Sequence, residues 1–220
     1  MADPDPSQGL ARYRTAVVAD PFPVSRRAVA SLIRHSGAVD EAEQASGRQE
    51  AFELVRRLRA DVVISDVDLE RRGDGLVLCR QAKRLATPPA VLIFTGADDP
   101  AVVAACLASG ADGFVHRTAS PERLRQAVDT LAAGRPVWYL REHAHPGPRD
   151  EEPARIPGLT AREQQVLGLL LGRYSNDEIA GELHLARQTV KNHVSNVLQK
   201  IGVASRRDLL VSHVPLARAG

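Results

Sequence analysis

From Arg14 onward the apolar positions switch repeatedly between two spacings. Short continuous runs at Thr15–Ala19 (TAVVA), Asp61–Ser65 (DVVIS), Ala90–Thr95 (AVLIFT) and Gly113–Val115 (GFV) predict buried strands, with Ala38–Ala42 a weaker fifth. Between them, Val24–Arg34, Gln49–Leu58, Gly75–Leu85, Ala101–Ser109 and Pro121–Ala133 carry helical periodicity. Strict strand–helix alternation predicts a doubly wound, five-stranded parallel sheet covered on both faces. In such sheets function gathers at the carboxyl ends of the strands. Asp20 lies at the first of these ends, Asp66 and Asp68 at the third, Thr95 at the fourth, and Arg117 two residues beyond the fifth. Carboxylates, a hydroxyl and a cation converging there suit a divalent cation and a phosphoryl group. Strand-end acids that only cap helices or brace loops would look the same.

After Pro157 the pattern is helical throughout. Thr160 precedes Glu163 at capping-box spacing, and Val166, Leu167, Leu169, Leu170 and Leu171 give the next helix its buried side. Ser175 or Asn176 can cap a short helix over Glu178–Leu183, and His184-Leu185-Ala186 then turns tightly into a longer helix, Arg187–Ile201. Ser205 can cap a fourth helix carrying Leu209, Leu210, Val211 and Val214. Two helices joined by a tight turn form a helix-turn-helix, whose second helix normally enters the DNA major groove.

At about 100° per residue, Val190, Val194, Val197, Leu198 and Ile201 share one face of that helix, and Gln188, Lys191, Asn192, Ser195 and Gln199 share the opposite one. No acid occurs from Arg187 to Arg207, as phosphate proximity requires; a solvated surface helix usually mixes both signs of charge. Lys191, Asn192 and Ser195, central on the outer face, are expected at base edges. Arg187, Gln188, Thr189, His193 and Lys200 are expected at phosphates.

Composition changes this picture little. A chain of 220 residues, 44% hydrophobic and 25% charged, can bury two modest cores. A net charge of +2 places any nucleic-acid signal in local distribution. Two cysteines, Cys79 and Cys106, in apolar helical stretches exclude a disulfide framework and suit a reducing, cytoplasmic location. No run is long and apolar enough for a membrane span, and the opening MADPDPSQG lacks the features of a leader peptide. The expected organisation is a disordered tail over 1–13, an α/β domain over 14–135, a linker over 136–157 and a helical domain over 158–220. His143 and His145, within the Pro- and charge-rich linker, have no metal-ligand spacing.

The run from Leu159 to Arg206 resembles the four-helix DNA-binding domain of the LuxR/NarL/FixJ family, without a gap. DVVISDVDLE, FTGADD and GADGFVHR resemble the receiver domain of response regulators, a flavodoxin-like fold, over roughly Arg14 to Gly134. That resemblance implies Asp66 as phospho-acceptor, Asp20 as the first of a usual acidic pair, Thr95 as switch hydroxyl and Phe114 as switch aromatic. Three positions depart from the family. Pro21 stands where the second acid is usual, Arg117 replaces the usual Lys, and in the loop after Asp66 Glu70 stands where Pro is usual, with one extra residue before Asp74-Gly75.

One carboxylate fewer predicts a weak or absent Mg²⁺ site at Asp20 and Asp66, with no cofactor required. Arg117 is expected to fork onto Asp66. The expected function is an atypical, non-enzymatic, sequence-specific transcription regulator binding inverted-repeat double-stranded DNA as a homodimer. Its control would be constitutive, or come from a small molecule or partner protein at the receiver. Leu209, Leu210 and Val211, or Leu124, Val128 and Leu131, are the expected dimer patches. A conventional phosphorylation-activated regulator, an α/β enzyme with an accessory helical module, and a heterodimerising blocker of another regulator are the alternatives.

Overall fold

The structure, a computed structural model, describes residues 13–97, 99–140 and 158–211. The opening tail, the stretch from Arg141 to Pro157 with His143 and His145, and Val214 lie outside them. Six strands, β1 (Tyr13–Ala19), β2 (Val39–Ala45), β3 (Val62–Ser65), β4 (Ala90–Thr95), β5 (Gly113–His116) and β6 (Val137–Tyr139), form one parallel sheet in the order β2-β1-β3-β4-β5-β6. Helices α1 (Pro23–His35), α2 (Arg48–Leu58), α3 (Asp74–Ala82), α4 (Pro100–Ala108) and α5 (Pro121–Ala132) connect them. The helical domain contains α6 (Ala161–Leu171), α7 (Asn176–Glu182), α8 (Arg187–Lys200) and α9 (Arg206–Val211).

The expected doubly wound fold is present, with one strand more than anticipated. Residues Val137–Tyr139, expected in the linker, pair with three of the four residues of β5, from Gly113↔Val137 to Val115↔Tyr139. Three residues are too few to show an alternating pattern, so the strand is fixed by its neighbour. Gly113 permits the approach: a Cβ there would lie 2.7 Å from the Val137 side chain and 3.0 Å from its carbonyl. β2 also runs longer than its sequence signal, because Val39 and Ala45 alone are buried in VDEAEQA and the exposed positions between hide the period.

Each strand alternates between two cores. Ala16, Val18, Val62, Ile64, Leu92, Phe94 and Val115 face α1 and α5. Val17, Val63, Val91, Ile93 and Phe114 face the other side, where the core runs on through α4 into α6, α7 and α8. Leu124, Val128 and Leu131 are at most 4% exposed inside the first core, and Leu209 is 1% exposed in the second. Neither expected dimer patch is therefore open at these residues; their apolar faces are consumed by their own domains. The Leu210 and Val211 side chains lie outside the described set.

Candidate nucleic-acid interface and receiver pocket

The sheet register brings the pocket together. Ala19 pairs with Ser65, so the next residues, Asp20 and Asp66, emerge side by side where the strand order reverses around β1. Thr95 pairs with His116, which sets Arg117 beside them. One guanidinium nitrogen of Arg117, Nη2, donates to Asp66 Oδ2 at 2.6 Å and to Asp20 Oδ2 at 2.9 Å. The expected fork onto Asp66 is thus a bridge between both carboxylates. Nη1 donates to Ser25 Oγ at 3.2 Å, and that hydroxyl donates to Asp20 Oδ2 at 2.7 Å. The guanidinium carbon lies 5.6 Å from the ring centres of both Phe22 and Phe94.

The carboxylates are buried: the Asp20 side chain is 3% exposed, that of Asp66 9%, and that of Arg117 26%. Burial pushes the Asp66 carboxyl above its ordinary value, against the Thr95 hydroxyl and Arg117, which favour the ionised form; the Asp20 charge adds to the rise. Phe114 is fully buried beneath α4. Asp68 meets the pocket only through its backbone N–H, which donates to Asp66 Oδ1 at 3.5 Å. It is exposed, and its carboxylate instead accepts from the Gly73 backbone N–H at 2.7 Å, closing the β3–α3 loop. Ser25, Phe22 and Phe94 are parts of the pocket that sequence reasoning missed. Ser25 sits one turn into α1 with no strand-end signal, and the rings read as ordinary core or surface residues.

The first two helices of the helical domain start as their sequences predict. Thr160 with Glu163 caps α6 and Ser175 with Glu178 caps α7, each by reciprocal hydrogen bonds. The turn passes through His184 in the left-handed region (φ 51°), in the position after a helix end where such geometry is usual. Val190 and Val197 are buried, while Arg187, Gln188, Lys191, Asn192, Ser195 and Gln199 are exposed, as the helical projection requires. Thr189 and His193 are half-buried flank residues. Gln188 Nε2 donates to Asn192 Oδ1 at 3.2 Å, and Arg187 pairs with Asp177 at 2.6 Å on the open surface.

Lys200 also pairs within its own domain. Its ammonium donates to both carboxylate oxygens of Glu163 at 2.8 Å, so it braces α8 against the start of α6 while its side chain stays 41% exposed. Burial raises the Glu163 carboxyl, but Lys200 and Thr160 outweigh it and hold the group below its usual value. A depressed carboxylate contributes stability above its unfolded pKa and loses it as pH falls through the folded value. Acidification below the ordinary glutamate range, about 4.3, is therefore expected to loosen this domain. Glu163→Gln should cost about 1–3 kcal/mol at neutral pH and flatten that acid dependence, read by denaturant titration across pH 3–7.

Among the described residues no cluster of three His, Cys, Asp or Glu is arranged to hold a metal ion, and no helix is long and apolar enough to cross a membrane. Cys79 and Cys106 are free and buried; burial pushes the Cys79 thiol up to about 12 and that of Cys106 higher than usual, so both are inert packing.

Fold and site together define a two-domain regulator, a receiver joined to a helix-turn-helix DNA-binding domain. Residues 16–129 match the response regulator receiver domain family, and residues 157–213 match the bacterial regulatory proteins of the luxR family. The chain is 32% identical over 196 residues to the nitrate/nitrite response regulator protein NarP of Escherichia coli, covering 86% of this chain and 89% of that one. It is 30% identical over 216 residues to the probable transcriptional regulatory protein NarL of Mycobacterium tuberculosis, covering 94% of each. A solved LuxR-family two-component response regulator from Aurantimonas superposes with a TM-score of 0.53 at 26% identity, over 57% of this chain and 89% of that one. The chain belongs to the LuxR-type response regulators. It is a DNA-binding transcription regulator of the response-regulator type.

Proposed function

We propose that this regulator binds inverted-repeat promoter DNA as a homodimer and is not controlled by ordinary aspartyl phosphorylation. The observation that carries the second part is the Arg117 bridge, 2.6 Å to Asp66 and 2.9 Å to Asp20. A divalent cation serving phosphoryl transfer would need those carboxylate oxygens and would neutralise the incoming phosphoryl charge. Here one oxygen of each carboxylate, Oδ2, is held by a guanidinium, and Pro21 supplies no further ligand. The residues do not fit Mg²⁺, and no cofactor is required. DNA binding is then constitutive, or gated by a small molecule or partner protein at the strand ends. Phosphate-independent control is tested by incubation with acetyl phosphate and Mg²⁺, followed by intact mass and DNA affinity. Unchanged mass and affinity are expected; a stoichiometric phosphoryl adduct that vanishes in Asp66→Asn and tightens DNA binding sinks the idea.

On the DNA side, Lys191, Asn192 and Ser195 read base edges, while Arg187, Gln188, Thr189, His193 and Lys200 meet phosphates. The exposure of the outer face of α8 supports this division. A helix-turn-helix reads a short half-site, and a two-fold dimer matches half-sites about one helical turn apart. Lys191→Ala is expected to weaken specific binding by about 1–3 kcal/mol and relax base preference. Equal loss on specific and random duplexes in a mobility-shift titration would move Lys191 to the phosphate class.

A further inference from the structure

α4 has no polar side. Over PAVVAACLA, every residue from Pro100 to Leu107 is buried, with Val103, Ala104 and Cys106 fully so. The sheet can cover only half of a helix's circumference, and a helix apolar all round must be covered on the other half too. α6 is its counterpart: Val166, Leu167, Leu169, Leu170 and Leu171 are all at most 1% exposed. Among the described residues the two helices make the most extensive helix–helix contact. The approach is close enough to need glycine. A Cβ on Gly168 would fall 1.9 Å from the Pro100 carbonyl oxygen and 2.6 Å from its Cα, both backbone atoms of the receiver. One hydrophobic cluster accordingly runs from Val17, Val63 and Ile93 of the sheet through α4 and α6 to Val190 and Val197 beneath the recognition face. Meanwhile Lys191, Asn192 and Ser195 remain exposed.

We infer that the receiver is a structural half of the DNA-binding unit: α4 and α6 form a shared core that holds α8 outward, ready for DNA, and the domains do not separate during regulation. A receiver that masked DNA would have to cover α8. This one instead supports the helix on which α8 rests, through the α6–α8 packing and the Lys200–Glu163 pair. The inference rests on α8 being the DNA-reading helix but not on Arg117. A phosphoryl adduct would defeat the proposed control without touching the shared core, and independent domains would defeat the shared core without touching the control.

The full-length chain carries the test. In calorimetry the wild type is expected to unfold in one transition, with α4 and α6 amides exchanging at a common, slow rate. Gly168→Ala favours the helix locally but cannot keep the contact, so it is expected to split the transition in two and to lose exchange protection in α4 as well as α6. Specific DNA binding should weaken in the same variant. Gly181→Ala, in α7 with nothing within 4 Å of the added carbon, is the control and should leave a single transition. Two independent transitions in the wild type overturn the inference whatever the variants do. So does unchanged or tighter DNA binding by a folded Gly168→Ala, the sign expected of a receiver that inhibits.

Discussion

Arg117→Ala is expected to cost about 3–5 kcal/mol at neutral pH, because it leaves two buried carboxylates without their shared cation. Asp20 and Asp66 both present Oδ2 to the same guanidinium nitrogen, and without it Asp20 keeps only neutral donors, the Ser25 hydroxyl and the Phe22 N–H. The loss should depend on pH in a defined direction. Burial already raises the Asp66 carboxyl in the wild type, and removing Arg117 removes a group that favours its ionised form, so the folded value rises further. An acid whose folded pKa is raised contributes stability that is present below the unfolded value, about 3.9, and is lost as pH rises through the folded one. The deficit of the variant should therefore shrink toward pH 4. Removing the guanidinium also frees the oxygens for a cation, so millimolar Mg²⁺ should raise the melting temperature of Arg117→Ala and leave the wild type unchanged. Denaturant midpoints at pH 4 and pH 7, with and without Mg²⁺, measure all three effects. A loss under about 1 kcal/mol that is flat with pH would show that the bridge is incidental.

Gly75→Ala tests the same pocket from behind. Gly75 lies in the first turn of α3, where alanine is intrinsically the better residue by about 1 kcal/mol. Local propensity alone therefore predicts stabilisation. The tertiary structure predicts the reverse: the added carbon would fall 1.8 Å from the Asp66 carbonyl oxygen and 2.9 Å from that of Val67, to which the Gly75 N–H donates at 2.9 Å. Both atoms are backbone, so the strand end must move and take the Asp66 carboxylate away from Arg117. Overpacking of this kind costs about 1–3 kcal/mol before the ion bridge is counted. Because both changes act on Asp66, the double variant Gly75→Ala/Arg117→Ala should lose less than the sum of the singles, a coupling of about 0.5–3 kcal/mol in a double-mutant cycle. A Gly75→Ala chain as stable as the wild type would sink the prediction.

Features that depend on neighbours along the chain are legible without the fold. Alternating strands and helices, the capping residues Thr160, Ser175 and Ser205, and the acid-free outer face of α8 are local patterns, because hydrogen-bond caps and helical faces are set within a few residues. Asp20, Asp66, Thr95 and Arg117 could be placed at one edge because parallel strands deliver their carboxyl ends together. Contacts between distant segments were decided only by tertiary structure. Ser25, Phe22 and Phe94 complete the Arg117 site from elements whose own patterns carry no mark of it. Asp68 turns into its loop, and Lys200 turns back to Glu163, because in each case a buried or constrained donor or acceptor within reach outcompetes water. The all-apolar α4 was visible in PAVVAACLA, but an apolar surface names no partner: burial is non-directional, and α6 was selected by shape, through the absence of a side chain at Gly168.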